Sequence, residues 1–280
     1  MRMAETLLEA RAVSRSYPVR AGLWRRTSGW IRAVDRVTCA LESGDTLGLV
    51  GESGCGKTTL ARLFVGLLAP SEGVVLVRGR SWVGLRGSAR LAARRTVQCI
   101  FQDPMNSLNP RMSVEEIVAE PLIIHRMTDR VGRRRRVLEL LAMVQLPSSV
   151  CRRLPSELSG GERQRVGIAR ALALDPKALI CDEPIASLDM SVGAQILGLL
   201  RNLSRHRRMA LLFISHDIGA VASLCRRIAV MRQGRVVEFA ETERVMRRPS
   251  HPYTQWLIRC AELRLDAAEP PPDDDGDGSI

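Results

Sequence analysis

The stretch GESGCGKTT, residues 51 to 59, decides the fold of this chain. It fits the pattern G-x-x-x-x-G-K-[ST], follows the apolar run TLGLV, and leads into a helical pattern from about Lys57 to Leu68. The glycines let the backbone curl so that successive N–H groups face a phosphate, and Lys57 supplies a cation for the outer phosphate oxygens. The Thr58 hydroxyl can ligate Mg²⁺. The stretch therefore predicts a phosphate-binding P-loop between a strand and a helix.

Short apolar runs alternate with helical patterns along the chain, which predicts an α/β core. The runs after the loop are VQCIF, KALICDE, LLFIS and IAVMRQG, and helices are predicted after Ser159 and from about Gly193. These runs are mostly apolar throughout, as buried strands of parallel sheets are. A hairpin is predicted at Gln233 and Gly234, where RVVEF follows IAVMRQG.

Only helical patterns occur between Gln102 and Leu158. The first begins at MSVEEIV, where Ser113 and Glu116 have the spacing of a capping box, and a break is predicted near Pro121. We therefore expect a helical subdomain, about residues 103–158, inserted into the α/β core.

Composition indicates a globular chain without membrane-spanning or secretory segments. Of 280 residues, 45% are hydrophobic, yet no apolar run approaches the roughly 18 to 20 residues that cross a bilayer. The N-terminus lacks the apolar core of a signal peptide, so a cytoplasmic protein is expected. The seven cysteines are odd in number and scattered, which indicates neither a disulfide framework nor a zinc site.

The basic charge does not indicate a nucleic-acid partner. Two of the 42 basic residues, Lys57 and Lys177, are lysines, so 40 are arginines, a bias that fits codon usage better than a selected surface. The run Arg133 to Arg136 lies in a helical pattern with apolar spacing, which favours a solvated helix face. With 4% aromatic residues, a platform for stacking bases is not indicated.

A second anion site is predicted at LSGGERQR, residues 158 to 165. Ser159 can cap a new helix, and Glu162 can complete the capping box three residues later. The paired glycines let a phosphate oxygen approach the backbone, and the helix dipole favours negative charge there.

Two carboxylates end the apolar strand in ALICDEP, residues 178 to 184. Asp182 can belong to the coordination shell of Mg²⁺, and Glu183 can face the γ-phosphate and polarise an attacking water. Surface acids are common after strands, but the upstream P-loop favours the catalytic interpretation.

In this order and spacing, the P-loop, LSGGERQR and ALICDEP resemble the nucleotide-binding subunit of an ABC transporter, from about Leu7 to about Leu257. The resemblance implies an α/β fold: a P-loop NTPase (RecA-like) core with an antiparallel β subdomain and an α-helical ABC subdomain. It implies an ABC ATPase domain over residues 5–250 and a short C-terminal extension, residues 251–280, whose acidic tail we expect to be disordered. The implied reaction is ATP hydrolysis with Mg²⁺.

The resemblance also assigns roles to individual residues. Gln102 resembles the glutamine of the family's Q-loop, Ser187-Leu188-Asp189 its D-loop, and Tyr17 the aromatic residue on which adenine stacks. The implied catalytic residues are Glu183, His216 (the switch histidine) and Gln102. The implied Mg²⁺ ligands are Thr58, Gln102 and Asp182. The residues implied to bind the nucleotide are Tyr17, Gly51, Ser53, Gly54, Gly56, Lys57, Thr58, Thr59, Ser159, Gly160, Gly161 and Asp189.

Two subunits of this family pair head to tail, which accounts for the second anion site. The helix that begins at Ser159 in one subunit closes over the γ-phosphate held by the P-loop of the other. The resemblance therefore implies that ATP joins the two subunits until it is hydrolysed.

The segment FQDPMNSLNPRMSV, residues 101 to 114, together with HPYT, residues 251 to 254, is similar to the peptide and nickel importer branch of the family. The early segments RSYPVR, AGLWRRTSGW and RAVDRVT resemble the second ATPase of a dipeptide or oligopeptide system. The implied partners are a second ATPase subunit, two transmembrane permeases and an extracytoplasmic solute-binding protein. The implied location is the cytoplasmic face of the inner or plasma membrane, peripheral through the permeases.

Three alternatives bear on the cargo and the class. Peptides are favoured as cargo, with nickel or a metal chelate as the alternative. Only Cys260 follows HPYT, so no iron–sulfur ligand is implied. A soluble ABC ATPase of translation or DNA repair is less favoured, because the chain has one cassette and no sustained heptads.

A groove between the helical insert and the core, lined by apolar residues of FQDPMNSLNPRM, is expected to receive a short permease helix.

Overall fold

Two sheets and a set of helices make up residues 5–21, 26–101 and 107–263, the parts that the computed structural model describes. The strands are β1 (Thr6–Ala21), β2 (Arg26–Glu42), β3 (Thr46–Val50), β4 (Glu72–Val77), β5 (Arg80–Ser81), β6 (Val97–Ile100), β7 (Ala178–Asp182), β8 (Ala210–Ser215), β9 (Arg227–Arg232) and β10 (Arg235–Glu241). The helices, numbered α1 to α9 in chain order, are Lys57–Phe64, Gly87–Thr96, Val114–Ile124, Arg130–Met143, Gly160–Leu172, Met190–Arg207, Ile218–Leu224, Thr242–Arg247 and Pro252–Leu263.

The larger sheet has the strand order β10-β9-β3-β8-β7-β6 and is parallel except for β10. Every residue of β7 and β8 is buried, as their apolar sequences predict. Because parallel strands end at one edge, the segments after β3, β6, β7 and β8 meet there. The α/β core is therefore confirmed, and its carboxyl edge collects the P-loop, Asp182, Glu183 and His216.

The smaller sheet is antiparallel, with the order β2-β1-β4-β5, and it forms the β subdomain that the resemblance implies. Helix α1 packs between the two sheets. Its Leu60 and Phe64 share one core cluster with Leu8 of β1, Val75 of β4 and Leu49 of β3. This packing fixes the helix that follows the P-loop against both sheets.

Helices α3 and α4 form the helical insert, together with short 3₁₀ turns before α5. The predicted capping box begins α3: the Glu116 N–H donates to Ser113 Oγ at 3.4 Å, and the Ser113 N–H donates to Glu116 Oε2 at 2.7 Å. Gln102 lies outside the described residues.

The predicted break near Pro121 is wrong, since α3 continues through it to Ile124. Proline removes one helix hydrogen bond and costs about 3 kcal/mol. Ile117, Val118 and Leu122 are buried on this helix, and each such side chain stabilises the fold by roughly 1.5 to 3 kcal/mol. Burial of the apolar face therefore outweighs the cost of the proline.

The ends of several elements depend on local capping and turns. Helix α1 ends at Phe64 rather than near Leu68, and α6 begins at Met190 because Asp189 caps it. The hairpin between β9 and β10 turns at Gln233 and Gly234, with φ values of 44° and 84°.

Residues after the predicted boundary at 250 also pack into the core. Helix α9 belongs to the extension, and its Tyr253, Leu257 and Ile258 lie in the same buried cluster as Phe213 of β8. The acidic tail lies outside the described residues. Among the helices of the described ranges, none has the length and apolar character to cross a bilayer.

Candidate active site

The P-loop passes close to two neighbouring strands, and its glycines allow this. A Cβ atom at Gly51 would lie 2.1 Å from the Met231 carbonyl oxygen of β9, and one at Gly56 would lie 2.0 Å from the Ala33 carbonyl oxygen of β2. Gly56 also has a φ of 108°, which disfavours other residues. Ser53 and Gly54 are exposed at the tip of the loop, where a phosphate can reach their N–H groups.

Lys57 points back into the loop, and its side chain is 4% exposed. Its Nζ donates hydrogen bonds to the carbonyl oxygens of Gly51 at 2.7 Å and Glu52 at 2.8 Å. The same atom lies 3.9 Å from Glu183 Oε1. The ammonium group is therefore held between the P-loop backbone and the carboxylate of Glu183, which directly follows β7.

Asp182 and Thr58 form the oxygen-rich part of the site. The Thr58 hydroxyl donates to Asp182 Oδ1 at 3.3 Å. Asp182 is 1% exposed, and its Oδ2 has no hydrogen-bond partner among the described residues. Burial raises the pKa of Asp182 above its ordinary value, although the Thr58 hydrogen bond acts in the opposite direction. A buried carboxylate oxygen without a donor beside a hydroxyl fits the oxygen ligands that Mg²⁺ prefers.

Glu183 lies between Lys57 and His216. Its backbone N–H donates to the Ile214 carbonyl oxygen at 2.9 Å, which ties this turn to β8. Its Oε2 lies 3.3 Å from His216 Nδ1. The Glu183 side chain is 9% exposed, whereas that of His216 is 55% exposed. The structure therefore brings together Lys57, Asp182, Glu183 and His216, which come from three separate stretches of sequence.

The second predicted anion site lies at the start of α5. The Glu162 N–H donates to Ser159 Oγ at 3.2 Å, and the Ser159 N–H donates to Glu162 Oε2 at 2.8 Å, so the capping box is confirmed. Ser159 is exposed. No hydrogen bond within the described ranges joins Ser159, Gly160 or Gly161 to the P-loop.

A Cβ atom at Gly161 would lie 2.6 Å from Val192 Cγ1, so the starts of α5 and α6 approach closely. Asp189 caps α6, because its carboxylate accepts a hydrogen bond from the Val192 N–H at 2.9 Å. Contacts of Ser159, Gly160, Gly161 and Asp189 with a nucleotide stay predictions.

Tyr17 lies on β1 opposite Ile31 of β2. The guanidinium carbon of Arg15 lies 4.9 Å from the centroid of its ring. The stacking of Tyr17 on adenine stays a prediction. Thr59 is half-buried beside Thr58, and its role in nucleotide binding also stays a prediction.

Two contacts to the P-loop were not predicted from the sequence. The Tyr253 hydroxyl accepts a hydrogen bond from the Glu52 N–H at 3.1 Å, and the Gly234 N–H donates to the Cys55 carbonyl oxygen at 2.9 Å. The motif HPYT indicates the branch of the family, but nothing in its local pattern points to the P-loop.

A P-loop at the carboxyl edge of a parallel sheet, facing Asp182 and Glu183, defines a nucleotide-hydrolysing P-loop cassette. A family model described as "ABC transporter" matches residues 34–186. The chain belongs to the ABC transporter family of ATP-binding proteins, and it is an ATPase of the ABC type.

Its relatives include transport ATPases for peptides. It is 44% identical over 261 residues to the probable peptide ABC transporter ATP-binding protein y4tS of Sinorhizobium fredii, covering 93% of this chain and 74% of that protein. It is also 44% identical over 255 residues to the oligopeptide transport ATP-binding protein AppF of Bacillus subtilis, covering 91% of this chain and 78% of that one.

Solved ABC cassettes share the fold. A dimeric ATP-binding cassette in a post-hydrolysis state with ADP and phosphate matches with a TM-score of 0.75 and 29% identity, over 84% of this chain and 99% of that one. A subunit of an ABC transporter complex from Clostridium perfringens matches with a TM-score of 0.74 and 26% identity, over 93% of this chain and 96% of that one.

Proposed function

We propose that this chain is the ATP-hydrolysing subunit that energises an ABC importer of dipeptides or oligopeptides. The observation that carries the proposal is the cluster of Lys57, Asp182 and Glu183 at the P-loop. The cargo class is supported by the relatives, which are named for transport of peptides and oligopeptides.

Mg²⁺ would be held by Thr58 and by the Asp182 oxygen that has no hydrogen-bond partner in the described part of the chain, with Gln102 as a further implied ligand. When bound, Mg²⁺ neutralises charge on the phosphate oxygens. Lys57 adds a second positive charge at the same loop, and the exposed N–H groups of Ser53 and Gly54 bind phosphate oxygens.

Glu183 orients the attacking water and takes up its proton as the water oxygen bonds to the γ-phosphorus and the bond to ADP breaks. The carboxylate can do this because Lys57 Nζ and His216 Nδ1 hold it from two sides, at 3.9 and 3.3 Å. His216 is exposed enough to contact a phosphate that approaches the loop. Its position supports the role of the switch histidine.

The complete site needs two chains in this proposal. At the α5 N-terminus Ser159 is exposed, while Gly160 and Gly161 are half-buried, and this helix start serves in the proposal as the half-site for another subunit's γ-phosphate. The similar solved cassette with ADP and phosphate is a dimer. We propose that the partner is a different ATPase subunit, and that two permeases and an extracytoplasmic solute-binding protein complete the importer.

A groove between α3 and the core supports permease docking. It has a volume of about 340 Å³, and its lining includes Gln98, Phe101, Pro121, Ile124 and His125. A short apolar helix fits such a surface. In this arrangement, the chain lies peripherally at the cytoplasmic face of the membrane.

Only part of the segment FQDPMNSLNPRM lines this groove as expected. Phe101 does, whereas Leu108 is buried in the core and Met112 lines a different groove between α3 and α4. Residues 102–106 lie outside the described parts.

Co-expression with the genomic neighbours tests the function. With its permeases and second ATPase, the chain is expected to float with membranes and to support ATP-dependent uptake of a labelled oligopeptide into vesicles. Replacing the wild type by Glu183→Gln should abolish uptake while the chain still floats. A chain that stays off the membrane with all neighbours present, or sediments with ribosomes, would overturn the importer proposal.

A further inference from the structure

Tyr253, in the HPYT segment, contacts the P-loop although it follows Glu52 by 201 residues. Its side chain is fully buried at the start of α9. The hydroxyl oxygen accepts a hydrogen bond from the backbone N–H of Glu52 at 3.1 Å. A residue near the end of the fold therefore contacts the second residue of the phosphate-binding loop.

This hydrogen bond sets the orientation of one peptide group. The Glu52 N–H and the Gly51 carbonyl belong to the same planar peptide, so in its trans form they point in opposite directions. The Gly51 carbonyl oxygen accepts a hydrogen bond from Lys57 Nζ at 2.7 Å. Holding the N–H toward Tyr253 therefore holds the carbonyl toward the lysine. The next carbonyl, that of Glu52, accepts from the same Nζ at 2.8 Å.

The segment that carries Tyr253 is itself firmly attached. The ring stacks on Trp256, with their centroids 5.6 Å apart. Just before α9, the Glu238 carboxylate accepts hydrogen bonds from the Ser250 N–H at 2.9 Å, the Ser250 hydroxyl at 2.8 Å and the His251 N–H at 3.1 Å. Glu238 lies on β10, whose hairpin with β9 also contacts the P-loop through Gly234. The hydroxyl is therefore presented by a rigid support.

We propose that Tyr253 is a positioning residue for ATP: its hydroxyl orients the Gly51–Glu52 peptide and thereby the carbonyls that place Lys57. It acts through the loop backbone, so it belongs to the nucleotide site without being a catalytic residue. The HPYT segment thus has a function in nucleotide binding. The inference rests on the proposed ATP binding at the P-loop.

The test is Tyr253→Phe in the full chain, which removes the hydroxyl and keeps the ring. At a temperature well below unfolding, MgATP is expected to bind roughly three- to tenfold more weakly, the effect of losing one hydrogen bond. The KM for ATP should rise by a similar factor while kcat stays near the wild-type value. The matched control is Trp256→Phe, which disturbs the packing of the same segment but keeps the hydroxyl. It should lower the unfolding temperature and leave the affinity for MgATP unchanged.

If Tyr253→Phe bound MgATP as tightly as the wild type, the inference would be overturned. It would also be overturned if both variants lost affinity for MgATP in proportion to their loss of stability. A different result would contradict the proposed function. If the wild type bound MgATP no better than Lys57→Ala does, ATP binding at the P-loop itself would be refuted.

Discussion

Glu183 has a backbone conformation that few residues other than glycine adopt, with a φ of 48°. Such a conformation costs on the order of 1 to 3 kcal/mol and persists only where surrounding contacts impose it. Here the hydrogen bond from its N–H to Ile214 imposes it, and the result is a carboxylate between Lys57 and His216. The strain is therefore tied to the placement of the proposed catalytic carboxylate.

Replacing Glu183 by glutamine tests that placement. The amide keeps the size of the side chain but is a poor proton acceptor, so we expect ATP turnover to fall by about 10² to 10⁴-fold. ATP binding should stay intact, and an ATP-bound pair of cassettes should accumulate, which size-exclusion chromatography with labelled ATP measures. The matched control is Glu139→Gln on the exposed face of α4, where turnover should not change. Turnover near the wild-type rate in Glu183→Gln would exclude the assigned role.

At the scale of elements, the two predicted anion sites lie at two helix N-termini, and the two helices begin differently. Helix α1 begins at a glycine without a side-chain cap, so its first N–H groups are left for a phosphate. Helix α5 begins with a capping box whose Ser159 is exposed, while most of the helix after its first turn is buried. In the proposed assembly, each P-loop site is completed by the start of α5 from the other subunit.

Substitutions at these two helices should have different effects. Lys57→Ala should weaken nucleotide binding by the isolated chain, because it removes the cation from the loop. Ser159→Arg should leave that binding unchanged and block turnover in the assembled pair by occupying the interface. Ser113→Arg, at the matching capping box of α3, controls for the lost helix cap. Loss of nucleotide binding by the isolated Ser159→Arg chain would contradict a site shared between two chains.

The attachment of the C-terminal segment to β10 predicts a pH dependence of stability. Burial alone would raise the pKa of Glu238, but hydrogen bonds, which include those from Ser250 and His251, lower it below its ordinary value of 4.5. A lowered carboxyl pKa stabilises the fold above the unfolded-state pKa, and this contribution is lost as pH falls through the folded-state pKa.

We therefore expect Glu238→Gln to lower the free energy of unfolding at pH 7 by roughly 1 to 3 kcal/mol, with a smaller difference from the wild type below pH 4. Thermal unfolding between pH 3 and pH 7 measures this. Glu243→Gln, an exposed exchange on α8, serves as the control. If Glu238→Gln differed from the wild type in stability by the same amount at pH 3 and at pH 7, the pH dependence could not be assigned to the Glu238 carboxylate.

At the scale of the whole molecule, the fold separates the chemistry from the surface proposed for the permease. The site residues lie at the carboxyl edge of the larger sheet, and the groove lies where β6 leads toward the helical insert. Phe101 lines that groove directly after β6, whose neighbour β7 ends at Asp182. A movement of the insert can therefore be coupled to the nucleotide through adjacent strands.

A charge placed in the groove tests this separation. Ile124 is 60% exposed there, so Ile124→Asp should leave ATP binding by the isolated chain unchanged and reduce its flotation with co-expressed permeases. Val131→Asp is the control, because Val131 is 78% exposed on α4 and does not line the groove. Normal flotation of Ile124→Asp would rule out this groove as the docking surface.

Local chemistry made much of this protein predictable. The sequence predicts the P-loop, the capping boxes at Ser113 and Ser159, and the buried strands β7 and β8, because each depends on residues within a few positions of one another. The capping box needs a serine and a glutamate three residues apart, and a buried strand needs a continuous apolar run. The family resemblance then related these motifs to one reaction.

The sequence by itself determined the class of fold and the nucleotide loop, and it predicts which groups react. Only the tertiary structure decided that α3 continues through Pro121, that one buried Asp182 oxygen has no partner among the described residues, and that Tyr253 contacts the P-loop. Each of these depends on contacts between segments far apart in the chain, and periodicity and capping carry no information about such contacts. The burial that outweighs the cost of Pro121 exists only once the core has formed. The same is true of the contact between Glu52 and Tyr253, which are 201 residues apart in the chain.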